Sequence, residues 1–134
     1  MRRRSRRGAT VRVPRFVVQE HYATSHHFDL RLERDGALVS WAVPKGMPED
    51  PTKNRLAIRV DDHDLSHLIV EDGTPVEGVP GAVKKSIWDG GTYEAEEFGE
   101  DMVIVTFNGR RLKGKYSIFR AGKNWLVHKM KQGA

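Results

Sequence analysis

The sequence predicts an all-β fold: about eight short, mostly antiparallel strands in a barrel or sandwich. Three observations carry that expectation. Apolar and polar residues alternate over short runs, the period of a strand with two unlike faces. Turn dipeptides such as Asp35-Gly36, Asn108-Gly109 and Ala121-Gly122 punctuate those runs. No segment sustains the spacing of a long amphipathic helix, and no internal repeat is visible.

The elements follow in chain order. Residues 1–15 hold seven Arg and no acid. Removing those seven from the 23 Lys and Arg of the chain leaves 16 bases against 18 acids, so the formal charge of +5 is concentrated at one end. Residues 1–14 are therefore expected to be a flexible basic arm, suited to phosphate backbones or to a solubilising role, and residues 15–134 a single domain. Phe16 to Gln19 is the first strand candidate. His27 to Arg34 alternates strictly, and Asp35-Gly36 turns it back into the more apolar Ala37 to Val43. Pro44-Lys45-Gly46 ends that strand, and a loop from Met47 to Asn54 contains Pro48 and Pro51. Further strand candidates are Leu56 to Val60, Lys84 to Trp88, Thr92 to Glu96, Met102 to Phe107, Lys113 to Arg120 and Asn124 to Lys129. Glu71 to Ala82, rich in Gly and Pro, reads as a loop.

Composition excludes several classes. The chain has 134 residues, 38% of them hydrophobic, enough for one modest core. No apolar run is long enough to span a bilayer, and the Arg-rich start lacks the apolar stretch of a signal peptide. The absence of Cys removes disulfides and thiolate metal sites. A monomeric protein of the reducing cytoplasm, nucleoid-associated through its basic arm, is the corresponding expectation.

Chemistry concentrates on one strand face. His27, Asp29 and Arg31 leave the same side of their strand, with Cβ atoms of neighbours ~7 Å apart. From there an imidazole and a carboxylate can converge on one ion, and His21, upstream, can supply a third ligand from a neighbouring segment. A nitrogen and oxygen donor set suits Mn²⁺, Zn²⁺ or Fe²⁺ better than Ca²⁺ or Mg²⁺. Arg31 has the planar fork that matches a phosphate. An exposed face of solvated charges would produce the same pattern. A second cluster, Asp61-Asp62-His63-Asp64 with His67 beyond it, offers a histidine beside acids, which can protonate a leaving oxygen or stabilise phosphoryl charge; a polar turn is the simpler reading. Lys45 and Arg55 flank the intervening loop as further phosphate-binding candidates. Trp41, Trp88 and Trp125 read as core, and His26 and His128 as structural.

The same residues resemble a known family. Arg15-Phe16-Val17-Val18-Gln19-Glu20-His21, His27-Phe28-Asp29-Leu30-Arg31-Leu32-Glu33, Ser40-Trp41-Ala42-Val43-Pro44-Lys45-Gly46, Arg55-Leu56-Ala57, Asp62-His63, Ile87-Trp88-Asp89-Gly90-Gly91-Thr92-Tyr93 and Trp125-Leu126-Val127 together look like the 3′-phosphoesterase domain of bacterial DNA ligase D and its stand-alone relatives. The resemblance covers nearly all of the chain after the arm. It implies a compact β-barrel with a concave active-site face that uses a divalent metal, manganese favoured, to remove a 3′-phosphate. In many members it also implies prior excision of a 3′-terminal ribonucleoside. It implies His21, His27 and Asp29 as metal ligands, Arg31 and His63 as phosphate and transition-state contacts, and Lys45 and Arg55 as further functional bases. His67 stands where the family often has Tyr, and the loop near Glu77 to Val83 also departs from the family pattern.

The implied partners are DNA or RNA/DNA 3′ ends on a primer–template, with a separate ATP-dependent ligase and a polymerase acting on the product. Two other classes stay open at this point. His27 and Asp29 with a distant His63 or His128 would give a cupin-like non-haem iron oxygenase. A degenerate site with an intact basic arm would give a non-catalytic end-binding module.

Overall fold

The structure, a computed structural model, describes residues 13–22, 25–65, 74–75 and 84–131. The basic arm up to residue 12, His67 and the loop at Glu77 to Val83 lie outside the described residues.

Nine strands form one antiparallel sheet: β1 (Arg15–Tyr22), β2 (His26–Arg34), β3 (Ala37–Val43), β4 (Asn54–His63), β5 (Thr74–Pro75), β6 (Lys84–Phe98), β7 (Met102–Asn108), β8 (Lys113–Ala121) and β9 (Asn124–Lys129). Their spatial order is β1-β2-β3-β4-β9-β8-β7-β6, and β6 pairs back onto β1. That pairing closes eight strands into a barrel, leaving the two-residue β5 on the start of β6. Closure satisfies the backbone of what would otherwise be two sheet edges. Among the described residues no helix is long and apolar enough to cross a membrane.

The alternation seen in the sequence sorts the side chains. Phe16, Val18, Leu30, Leu32, Trp41, Val43, Ala57, Val105, Phe107, Tyr116, Ile118 and Val127 fill the interior. Phe16 meets Phe107 at 4.5 Å between ring centroids, and Trp41 meets Trp125 edge-on at 5.6 Å. The expected turn at Asp35-Gly36 forms with φ of 50° and 83°, the left-handed geometry of the tightest hairpins.

Two features differ from the sequence reading. Lys84 to Trp88 and Thr92 to Glu96 are one continuous strand, β6, rather than two. Gly90-Gly91 lies inside it because a Cβ on Gly91 would stand 2.2 Å from the Asn108 carbonyl oxygen. The glycines permit close approach of neighbouring backbone, not a turn. Trp88 is the extra residue of a bulge in β6, where the register jumps between Val18↔Asp89 and Gln19↔Ile87.

The outer face of β1–β3 is the second difference. Val17 and Leu38 form a small apolar cluster there with Leu65 packed on it. Gln19, Asp29, Arg31, Glu33 and Ser40 are consequently buried on a face that would otherwise be solvated. The barrel thus has an apolar inside and, on one flank, a sheltered polar outside.

Candidate metal centre and phosphate site

The β1–β2 register builds the site. His21 stands directly opposite His27, and Gln19 opposite Asp29, so all four side chains share the outer face. The two imidazole centroids are 4.8 Å apart. His21 Nε2 lies 2.9 Å from Asp29 Oδ2, and His27 Nε2 lies 3.8 Å from Asp29 Oδ1. One donor atom from each of His21, His27 and Asp29 falls within 4.8 Å of the others.

The donors are aimed as ligands. His27 Nδ1 is 3.1 Å from the Ser25 carbonyl oxygen, so Nδ1 donates to it and Nε2 is the ring atom left to serve as a ligand. His21 Nε2 is buried and makes no aligned hydrogen bond despite its short approach to the carboxylate. A ring nitrogen lone pair facing a carboxylate oxygen is unfavourable unless a cation or a proton lies between them. Two imidazoles and one carboxylate fit a transition-metal divalent ion, and the absence of sulfur fits manganese as well as zinc.

Burial raises the pKa of Asp29, but the His21 contact and the charges of Arg31 and His27 outweigh it. The net direction is below the usual carboxylate value, so the group is an anion at neutral pH. Arg31 continues the face one step along β2, its Nη2 3.6 Å from Asp29 Oδ2 and its side chain 3% exposed. Burial pulls its pKa down while Asp29 pulls it up, and the guanidinium stays charged.

His63 joins the same face from β4. Ser40 lies opposite Arg31 on β3, and its Oγ is 3.0 Å from His63 Nδ1. Ser40 donates its one proton to the Leu38 carbonyl oxygen at 3.0 Å, so Oγ accepts from His63 Nδ1–H. The ring is thereby fixed with Nε2 away from Ser40.

The remaining candidates sit elsewhere. Lys45 is exposed in the turn after β3, just beyond the level of His27. Arg55 is half-buried on β4, on the same face as the core residue Ala57 two positions on, and its Nε is enclosed without a hydrogen bond. His128 bonds Asn54 through Nδ1 at 2.7 Å, and His26 contacts Glu20 at 2.7 Å on the other side of β2. Neither belongs to the ligand cluster among the described residues.

Sequence reasoning missed three supports: the Ser25 carbonyl that orients His27, Ser40 that orients His63, and Gln19 beside Asp29. Only Ser40 left a signal, as the single hydroxyl in the apolar run Ala37–Val43.

With this geometry in place, the comparisons with known proteins have a physical counterpart. The family model described as the DNA Ligase D 3′-phosphoesterase domain matches residues 19–120. The multifunctional non-homologous end joining protein LigD of Mycobacterium bovis is 48% identical over 121 residues, covering 87% of this chain and 16% of that protein. The LigD protein of Mycolicibacterium smegmatis is 44% identical over 129 residues, with 87% and 17% covered. That of Pseudomonas aeruginosa is 37% identical over 129 residues, with 89% and 15% covered. The chain spans about a sixth of the length of these relatives. The matched segment contains His21, His27, Asp29, Arg31 and His63.

Proposed function

The chain belongs to the DNA ligase D 3′-phosphoesterase domain family, and on that premise we propose that it is a metal-dependent hydrolase that converts a 3′-phosphate end of a nucleic acid strand to a 3′-OH. The observation that carries the reading is the ligand trio His21, His27 and Asp29 lying beside a buried arginine on one face. A two-histidine, one-carboxylate set alone also suits an iron oxygenase. The fixed cation of Arg31 next to it favours an anionic substrate.

His21, His27 and Asp29 would hold the ion, with Mn²⁺ the first candidate and Zn²⁺ the second. When bound, such an ion polarises a phosphate oxygen and lowers the pKa of a bound water. Arg31 pairs with another phosphate oxygen through its fork, already desolvated, so its charge acts at low local dielectric. Asp29 stays ionised and holds Arg31 in place. His63, anchored by Ser40 through Nδ1, keeps Nε2 for the substrate and in its protonated form would donate to the leaving 3′ oxygen. Water is the nucleophile. Excision of a 3′-terminal ribonucleoside extends the same reading. The 3′-OH is the end that a separate ATP-dependent ligase and a polymerase require, and the end-joining role printed in the relatives' names supports that reading.

The test is a primer–template ending in a 3′-phosphate, incubated with EDTA, Mg²⁺, Mn²⁺ or Zn²⁺, alongside Asp29→Asn. Conversion to 3′-OH that needs both the metal and Asp29 is expected. A folded protein that binds ends but converts none with any metal would be an end-binding module. Iron-dependent oxygen consumption without phosphate release would make it an oxygenase.

A further inference from the structure

A second polar site lies at the same end of the barrel as the metal trio, on its β6 side. An open cleft of about 450 Å³ is lined by Ile87, Trp88, Asp89, Gly90, Arg110 and Arg111. Its construction is unusual for a surface turn. Asp89, 3% exposed, accepts hydrogen bonds from the backbone N–H groups of Arg110, Arg111 and Leu112 at 2.9, 3.1 and 2.8 Å. Gly109 makes room for this, because a Cβ there would stand 2.4 Å from Asp89 Oδ2. One buried carboxylate therefore pins the β7–β8 turn and directs its own charge to three donors. The arginine side chains stay outside that network. Arg111 lies over the Trp88 ring at 4.7 Å, and Arg110 is exposed. Neither forms an ion pair with a described residue, whereas Arg34, Arg59 and Arg120 each do.

Ile87 is the cleft residue that shares the outer face with the metal site, while Trp88 and Asp89 line the barrel mouth beside it. Ile87 pairs with Gln19, and Gln19 with Asp29, so the cleft begins two strands from the carboxylate. That is ~10 Å at the usual strand spacing. A duplex strand presents one phosphate per roughly 3.4 Å of axis, so this separation is about three phosphates. A cationic pair with a stacked guanidinium suits a phosphodiester flanked by bases better than an acidic protein surface, because Arg111 and Trp88 together offer a flat face as well as charge.

We propose that this cleft is an upstream nucleotide subsite, in which Arg110 and Arg111 hold a phosphodiester two or three positions in from the 3′ end while the terminal phosphate lies at the metal centre. The proposal rests on the hydrolase reading for its polarity and on the pinned arginine pair for its existence. It makes the substrate a 3′-phosphorylated strand of at least three or four nucleotides, not a mononucleotide.

The experiment measures binding of a 3′-phosphorylated primer–template by fluorescence anisotropy in EDTA across a salt series, and turnover in Mn²⁺. The proteins are the wild type, Arg110→Ala with Arg111→Ala, Arg110→Lys with Arg111→Lys, and Arg120→Ala with Lys123→Ala at the opposite barrel end. Truncating Arg110 and Arg111 leaves the three backbone bonds to Asp89 in place, so the fold is kept. The alanine pair is expected to reduce the salt slope by about 0.9 per lost contact, close to 2 in all. It should raise the KM for the primer–template roughly tenfold or more, with the effect on KM rather than kcat. Competition by thymidine 3′-monophosphate should be the same as in the wild type. The lysine pair should recover the slope, and the Arg120 and Lys123 control should leave slope and KM as they were from physiological salt upward. An unchanged slope in the alanine pair, or an equal drop in the control, overturns the subsite. End binding with no turnover in the wild type removes the hydrolase reading while the slopes still decide the cleft. A wild type that binds no ends removes both.

Discussion

The two ends of the barrel carry opposite chemistry. At the end reached by the C-termini of β1 and β3, the turns hold Lys45, Lys53, Arg110, Arg111 and Lys113, with Glu49 and Asp50 as the nearby acids. At the other end lie Asp35, Asp61, Asp62, Asp64, Glu100 and Asp101. Three of the cations at the acidic end are matched locally: Arg34 with Asp35, Arg59 with Asp62, Arg120 with Asp101. At the basic end Lys45, Arg110, Arg111 and Lys113 form no ion pair with a described residue. Exposed pairs of this kind add little stability, so the difference is not about holding the barrel together. One end is neutralised, and the other keeps a positive field beside the His21–His27–Asp29 trio, as an anionic substrate requires.

The sharpest way to break that comparison is to remove the reacting centre and leave the field. Asp29→Asn keeps the shape of a buried side chain but loses the anionic ligand. We expect turnover to fall by at least about 10³-fold, while end binding in EDTA changes little. His27→Ala should behave alike. The checks are 3′-OH formation and anisotropy on the same samples. Turnover close to the wild type would mean that the trio is not the ligand set.

Much of this is legible in the amino-acid sequence, and the reason is periodicity. Strict alternation from His27 to Arg34 puts His27, Asp29 and Arg31 on one face, and the β1–β2 register delivers His21 opposite His27. The face is not legible as buried, because its cover comes from Val17, Leu38 and Leu65, which are far apart in the chain. Gly90-Gly91 falls between two strand candidates in the sequence, and only the approach of Asn108 shows why the strand runs through it. Asp89 looks like one more acid in a polar stretch. Its three backbone partners lie more than twenty residues on and leave no local trace. Short-range pattern sets the faces, and long-range contact decides which polar groups are sheltered and aimed.

Each end is also tied by a buried tyrosine. Tyr93 donates to the Glu33 carbonyl oxygen beside the acidic end, and Tyr116 to the Pro48 carbonyl oxygen in the loop at the basic end, the latter at 2.9 Å. Burial pushes both phenols up to about 12. The unfolded value is about 10, so the folded state holds these protons more tightly. Their contribution is therefore complete below pH 10 and is lost as pH rises through about 12, by up to ~3 kcal/mol each. Urea midpoints should fall over that window, and phenolate absorbance should rise with unfolding rather than ahead of it. Midpoints unchanged toward pH 12 would show the phenols to be accessible.

The pin at the basic end is the next test in size. Asp89→Ala leaves three backbone donors without their acceptor, one of them on the buried Leu112. A loss of ~3 kcal/mol in stability is expected, read from urea unfolding. The KM for primer–template should also rise, because Arg110 and Arg111 lose their fixed position. Stability lost with KM unchanged would separate the pin from substrate binding.

The smallest effect is expected at the acidic end, and its size depends on salt. Arg120 Nη1 is 3.5 Å from Asp101 Oδ1, with the two side chains 58% and 69% exposed. Arg120→Ala should change stability by less than ~0.5 kcal/mol. Strands of seven to nine residues such as β2, β3 and β8 make the barrel ~25 Å long at about 3.3 Å per residue. The Debye length is about 8 Å at physiological ionic strength and about 30 Å at 0.01 M. At physiological salt the ends are therefore screened from each other, and KM for a 3′-phosphorylated primer–template should be that of the wild type. At 0.01 M salt the uncovered Asp101 charge reaches the basic end, and KM should rise slightly. A KM that rises equally at both salt concentrations would mean that nucleic acid touches the acidic end itself, and that the polarity of the barrel does not orient the substrate.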